Sequence, residues 1–223
     1  MNNRYKKFGL IVLTMFALAI TFTGTSYAQD REGAFELYLS PKYIDSKTLN
    51  GQGGSQVDLN DTWGWGFGFG YNMDEHWAFN FDIAWSSPSY DATTVDNSNA
   101  KSNYSSNLDT SSTIFTGIYN FSQKRFSPFV SGSFGWVFLD SNIPSGPPQN
   151  TCWWDYYWGY VCSTYLPTKT ETDFTYGLGV GVRFDMTKDF FLRAAYDKNW
   201  IDFDQASSED FDAIKIDIGM MFR

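Results

Sequence analysis

The sequence predicts an all-β protein, an eight-stranded antiparallel up-and-down transmembrane β-barrel, and three observations carry that prediction. The 223 residues are 20% aromatic and 43% hydrophobic yet only 18% charged, with a mean hydropathy of −0.34. Apolar residues recur at every second position in segments of about 9 to 11 residues, the length of a tilted strand across a bilayer. The connectors between those segments alternate between short and long. A helical polytopic membrane protein is excluded, because each helical span needs about 20 consecutive apolar residues. The aromatic content excludes a disordered chain, and the net charge of −9 argues against a nucleic-acid partner, which needs a basic surface.

The elements follow in order. Arg4, Lys6 and Lys7 precede an apolar stretch from Phe8 to Phe22, and then come Ser26, Tyr27 and Ala28. A charged start, a short apolar core and small residues before a cut predict a signal peptide over residues 1–28, cleaved after Ala28, with 29–223 as the barrel domain. A retained anchor helix is the alternative reading, opposed by the short run and by Thr14 and Thr21. Cleavage takes three cations and no acid, so the mature charge becomes −12.

The first strand sets Phe35, Leu37 and Leu39 against Glu36, Tyr38 and Ser40. In the second, Trp63, Trp65, Phe67, Phe69 and Tyr71 alternate with Gly64, Gly66, Gly68 and Gly70, so one face is a wall of rings and the other is nearly bare. The third opposes Trp77, Phe79, Phe81, Ile83 and Trp85 to Ala78, Asn80, Asp82 and Ala84. A fourth contains Phe115, Gly117, Tyr119 and Phe121, and a fifth Val130, Phe134, Trp136 and Phe138. The sixth sets Phe174, Tyr176, Leu178, Val180, Val182 and Phe184 against Asp173, Gly177, Gly179, Gly181 and Arg183. The seventh sets Leu192, Ala194 and Tyr196 against Arg193 and Asp197. The last alternates Ile214, Ile216, Ile218, Met220 and Phe222 with Lys215, Asp217 and Gly219. Phe129 and the Phe190-Phe191 pair blur the period of the fifth and seventh.

Connectors after the second, fourth and sixth strands are tight (Asn72 to His76, Ser122 to Arg125, Asp185 to Asp189). Those after the first, third and fifth are long, polar loops (Ser46 to Asp61, Ser87 to Asp109, Asp140 to Thr168), and Asp202 to Asp210 is intermediate. This asymmetry is the pattern of a barrel with short turns on one side of a membrane and long loops on the other. A soluble barrel of lipocalin type remains the competing architecture, with its apolar face inward. Size assigns the faces: an eight-stranded barrel has an interior just wide enough for side chains, and two adjacent walls of rings would overfill it. The rings are therefore expected to face lipid.

On these residues the chain resembles the small eight-stranded outer-membrane barrels of Gram-negative bacteria, the OmpA/OmpX/OmpW-like group. The markers are the signal ending at Ala28, the Gly-alternating second and sixth strands, and the alternating final strand that reaches Phe222. The resemblance covers residues 29–223. It implies location in the cell outer membrane, contact with outer-membrane lipid and lipopolysaccharide, and the barrel-assembly machinery as a partner in biogenesis. Members of the group usually finish on an aromatic residue; this chain ends in Arg223. Nothing follows the eighth strand, so no periplasmic peptidoglycan-binding domain is expected.

Two places can carry function. The inward polar face is expected to hold Glu36, Lys42, Asp82, Glu171, Asp173, Arg183, Arg193, Asp197, Lys215 and Asp217. Confined charges need pairing, so one reading is an ion-pair plug. The other is a narrow polar passage that the inward glycines leave open, favouring cations because acids outnumber bases. The second place is the third long loop, where Trp153, Trp154, Tyr156, Tyr157, Trp158 and Tyr160 lie between Cys152 and Cys162. In an exported chain these thiols are expected to form a disulfide, worth roughly 2.5 to 3 kcal/mol in the chain-entropy model. Its rings either pack on the rim and among lipopolysaccharide headgroups or recognise an extracellular ligand. No metal site or cofactor is expected, since two sulfurs do not complete a tetrahedral set.

No enzymatic chemistry is expected either: the sole histidine, His76, falls in a short turn without a neighbouring nucleophile. The acidic pairs Asp202-Asp204 and Glu209-Asp210 read as solvated loop surface. The expected function is thus a structural or porin-like barrel passing small solutes, with adhesin-like surface recognition through the loop at 140–168 as the alternative.

Overall fold

The computed structural model describes residues 31–50, 56–95, 101–202 and 208–223; the expected signal segment and Asp204 lie outside these. Fifteen strands are described. The wall of the barrel begins with β1 (Phe35–Leu39) and β2 (Lys42–Ile44), two halves of one strand separated by Ser40 and Pro41. Proline has no N–H to give the ladder, yet its carbonyl still accepts from Ile216 at 3.0 Å. Around the barrel follow β5 (Thr62–Asn72), β6 (Trp77–Ser86), β9 (Asp109–Asn120), β10 (Phe126–Pro144), β13 (Thr168–Asp185), β14 (Phe190–Asp202) and β15 (Glu209–Phe222). Each pairs antiparallel with the next, and β15 returns to β1 with Phe35 opposite Phe222. The closed eight-stranded barrel is the architecture the residue period predicts.

The three short turns fall where expected, and local side-chain acceptors hold all three, Ser122 Oγ accepting from the Lys124 N–H at 3.2 Å in the second. Asp74 accepts from the N–H groups of His76 and Trp77, each at 2.7 Å. Thr187 accepts from Phe190 at 3.1 Å. Asp185, however, belongs to β13 and is fully buried.

The long connectors depart from the expectation of loops, because each is built of strands. β3 (Lys47–Asn50), β4 (Gln56–Leu59), β7 (Ser89–Val95) and β8 (Lys101–Asn107) form a four-stranded sheet, and β11 (Gln149–Asp155) pairs with β12 (Gly159–Tyr165) as a hairpin. Strands β3, β4, β7 and β8 prolong β2, β5, β6 and β9, so one side of the wall rises as a collar. Two contacts fasten the collar's margins. Lys47 Nζ meets Asp210 at 2.5 Å and Glu209 at 3.3 Å. Asn142, at φ 53°, gives its amide N–H to the carbonyl of Asn107 at 2.9 Å and to Asp109 at 3.0 Å; asparagine tolerates that left-handed backbone.

Outside, most of the rings project from the wall with much of their surface exposed, as required for a lipid-facing surface. Phe69, Phe81, Phe115, Phe134, Tyr176 and Trp200 occupy one register row across β5, β6, β9, β10, β13 and β14. Neighbours along this row touch ring to ring, Phe81 to Phe115 at 5.1 Å and Tyr176 to Trp200 at 5.6 Å between centroids. Three rings do the opposite of the general rule: Tyr38, Phe129 and Phe191 point inward and are buried.

Candidate functional site: the barrel interior and the outer hairpin

The inward glycines and the inward rings explain each other. A Cβ on Gly68 would collide with the Tyr38 ring, one on Gly219 would meet Phe191 at 2.6 Å, and one on Gly181 would meet Phe129 at 2.5 Å. Each of these glycines is the direct register partner of the ring on the adjacent strand, Gly68 of Tyr38, Gly219 of Phe191 and Gly181 of Phe129, so it makes room for the large side chain beside it. The space that the sequence leaves open is thereby filled on the side of the short turns.

Between those rings runs a chain of charges alternating in sign. Arg31 grips Asp185 (Nη2 to Oδ2 2.6 Å) and donates to the carbonyls of Lys124 at 2.8 Å and Ser122 at 3.3 Å, tying the N-terminal segment to another turn. Asp185 also accepts from Arg183 Nε at 2.8 Å, and Arg183 reaches Glu36 at 2.7 Å. Glu36 lies 3.4 Å from Arg193, which donates to Asp217 at 2.8 Å. Asn72 and Ser40 donate to Glu36 and Asp217 at 2.7 Å and 2.6 Å. Arg183 stacks on Phe191 at 4.5 Å, and Arg193 on Tyr38 at 4.8 Å. A buried ion is tolerated only with partners on this scale, since desolvation costs several kcal/mol per charge.

Above the plug, Tyr38 donates to Asp82 at 2.9 Å, and Lys215 lies 3.7 Å from Asp82 and 3.8 Å from Asp217. Here the interior opens into a cavity of about 60 Å³ lined by Lys42, Asp82, Ser131, Asp197, Asn199 and Lys215 among others. That volume suits a few waters. Asp82 Oδ2 is buried there without a hydrogen-bond partner among the described residues.

Of the residues expected in the interior, Glu36, Arg183, Arg193 and Asp217 form the plug, while Lys42, Asp82, Asp197 and Lys215 line the cavity. Asp173 is buried in β13. Glu171 departs from the expectation and is exposed, because β13 continues beyond the rim and carries it opposite Leu139. The sequence reading put Tyr38 and Ser40 on the face of Glu36 without counting them in the network, and it missed Arg31, Asn72 and Asp185. Extending the strand parity by one step, from Gly70 to Asn72 and from Arg183 to Asp185, finds two of these. Arg31 precedes the first strand and had no periodic signal.

The outer hairpin is the second site. Cys152 and Cys162 are directly opposite across β11 and β12 and form the expected disulfide. Strand alternation places Trp154 and Tyr160 on the same face as the disulfide, and Trp153 with Val161 on the other. At the tip, Asp155 Oδ1 accepts from the N–H groups of Tyr157 at 2.8 Å and Trp158 at 3.0 Å. Gly159 then takes φ +74°, the left-handed residue that closes a three-residue hairpin turn. This geometry thrusts the tip rings outward, with Tyr156 89% and Trp158 82% exposed. His76, by contrast, stacks on Tyr119 at 5.8 Å beside a short turn.

Comparison with curated proteins gives no match. Among solved structures, the outer membrane protein OprG from Pseudomonas aeruginosa is similar at a TM-score of 0.50 and 11% identity, over 88% of this chain and 99% of that one. The N-terminal β-barrel domain of Pseudomonas aeruginosa OprF aligns at 0.45 and 15% identity, over 87% and 100%. Neisserial surface protein A aligns at 0.47 and 14% identity, over 85% and 98%. The model of the outer membrane protein beta-barrel domain matches residues 14–222. The chain belongs to that family and is a β-barrel protein of the outer membrane.

Proposed function

We propose that this barrel is a non-catalytic surface-recognition protein that works through its disulfide-closed aromatic hairpin. The carrying observation is the hairpin itself, a two-stranded sheet of its own that presents six rings to the outside. Rings left exposed at this density serve contact, because each offers a large apolar area with a polar edge. The interior supports the same reading: side chains and ion pairs occupy it on the side of the short turns, so the wall acts as a rigid mount. The cavity of about 60 Å³ is what speaks for the passive-transport alternative. Lipopolysaccharide headgroups around the ring-bearing rim and the barrel-assembly machinery during insertion are the partners that the outer-membrane setting suggests. We further propose that export removes residues 1–28, so that the mature chain begins at Gln29; mass spectrometry of the purified protein tests this directly.

Planar-bilayer recording and cell-surface binding together separate the readings. Recognition predicts a silent barrel, and surface binding that disappears when Trp153, Trp154 and Trp158 become Ala. Discrete current steps with unchanged surface binding would instead establish transport.

A further inference from the structure

We infer that the hairpin captures an extended basic polypeptide segment, laid along one of its open edges with arginine or lysine side chains over the rings. This inference rests on the recognition reading above and names its partner.

Three independent observations lead to it. The first is the edge. Among the described residues, strands β11 and β12 pair only with each other, so each has a row of backbone N–H and C=O groups facing away from its partner. Natural edge strands are normally protected by lysine, proline or a covering element. Residues 149–165 contain no lysine, arginine or proline. An added strand satisfies such an edge with main-chain hydrogen bonds.

The second observation is the pair of faces. Trp154 and Tyr160 stand opposite each other on one side, and their rings are exposed. Along an added strand, alternate side chains lie over that face, and the preferred polar partner of an indole or phenol face is a cation, best supplied by arginine.

The third is charge. The hairpin's one charged residue is Asp155, and one of its carboxylate oxygens already accepts from the Tyr157 and Trp158 N–H groups. From Asp140 to Thr172 the chain has Asp140, Asp155 and Glu171 against Lys169 alone, within a protein of net charge −9. This field draws in a basic segment and repels sulfated or phosphorylated polymers. A choline headgroup would satisfy the rings but would bring its phosphate into the same acidic surroundings.

The experiment uses the full barrel in lipid nanodiscs and follows tryptophan fluorescence. The probe is a short synthetic peptide of alternating arginine and threonine, compared with its glutamate counterpart, dextran sulfate and phosphatidylcholine vesicles. The arginine peptide is expected to bind alone among the four, weakening about tenfold as salt rises from about 0.05 to 0.5 M. Trp154→Ala with Tyr160→Ala should weaken it about tenfold or more. N-methylation of alternate backbone nitrogens, which leaves every charge in place, should weaken it comparably. Heat-modifiable gel migration of each variant confirms that the barrel is intact. Binding that ignores N-methylation, or that prefers dextran sulfate or vesicles but still needs the rings, overturns the basic-segment inference and leaves surface recognition standing. If no probe responds to loss of the rings, and cell-surface binding does not either, both fall.

Discussion

At the residue scale, the interior divides into side chains that are replaceable and side chains that are not. Arg183 is buried between Glu36 and Asp185. Arg183→Leu takes one of two cations from each of these buried carboxylates, leaving Glu36 with Arg193 and Asp185 with Arg31, and should cost about 3 to 5 kcal/mol in urea unfolding of the lipid-embedded barrel. Asp82 holds only one of its oxygens in hydrogen bonds, so Asp82→Asn should be mild by the same measurement. One position away, Phe81 faces lipid and meets the Phe115 ring at a tilt; Phe81→Arg puts a cation near mid-bilayer and should cost about 2 to 4 kcal/mol. Equal losses at positions 81 and 82 would mean that the two faces have been exchanged. Parity made this pair legible without a structure. Parity also put Tyr38 on the face of Glu36, but it did not make Phe129 and Phe191 legible, because an inward ring needs a glycine as its partner on the neighbouring strand, Gly181 and Gly219 here, and period alone carries no cross-strand register.

At the element scale, the collar depends on a small number of polar ties. Hydrogen bonds from Lys198 and then Lys47 hold the Asp210 carboxyl well below the usual carboxylate range, and Asp210 in turn raises the Lys47 ammonium. A depressed acid contributes fully above the ordinary value of about 3.9 and loses that contribution as pH falls through its lower folded value. A raised lysine contributes below about 10.4 and loses it as pH rises through its higher folded value. Amide exchange in β3 should therefore stay flat, after correction for intrinsic rates, from about pH 5 to pH 9 and accelerate only as pH falls below about 4 or rises above about 10.4. Replacing Cys152 and Cys162 by Ser should speed exchange across β11 and β12 while heat-modifiable migration of the barrel persists, since no wall strand needs that bridge. These extensions were the least legible elements. β5 shows ten residues of strict alternation, whereas β7 and β8 are polar on one face, and β4 and β7 pair across the whole β5–β6 hairpin. Their strand character comes from stacking on a wall already built, a tertiary cause with no local signature.

At the scale of the whole molecule, short turns and strand-built extensions at opposite ends make the two surfaces unequal. Protease applied to intact cells should cut within 149–165 and spare the three short turns, as fragment mass spectrometry would show; cuts confined to those turns would invert the orientation. The closure of the wall has one more consequence. Phe35 meets Phe222, so the seam joins the first wall strand to the eighth, and seven pairings can form between strands that follow one another while the closing one still waits for β15. Until then the nascent sheet carries two bare margins, each a template for the wrong neighbour. Arg31 cannot settle between Asp185 and the carbonyls of Ser122 and Lys124 before that seam forms. Its insertion is a late event in folding, a bolt that slides home only after the door has shut.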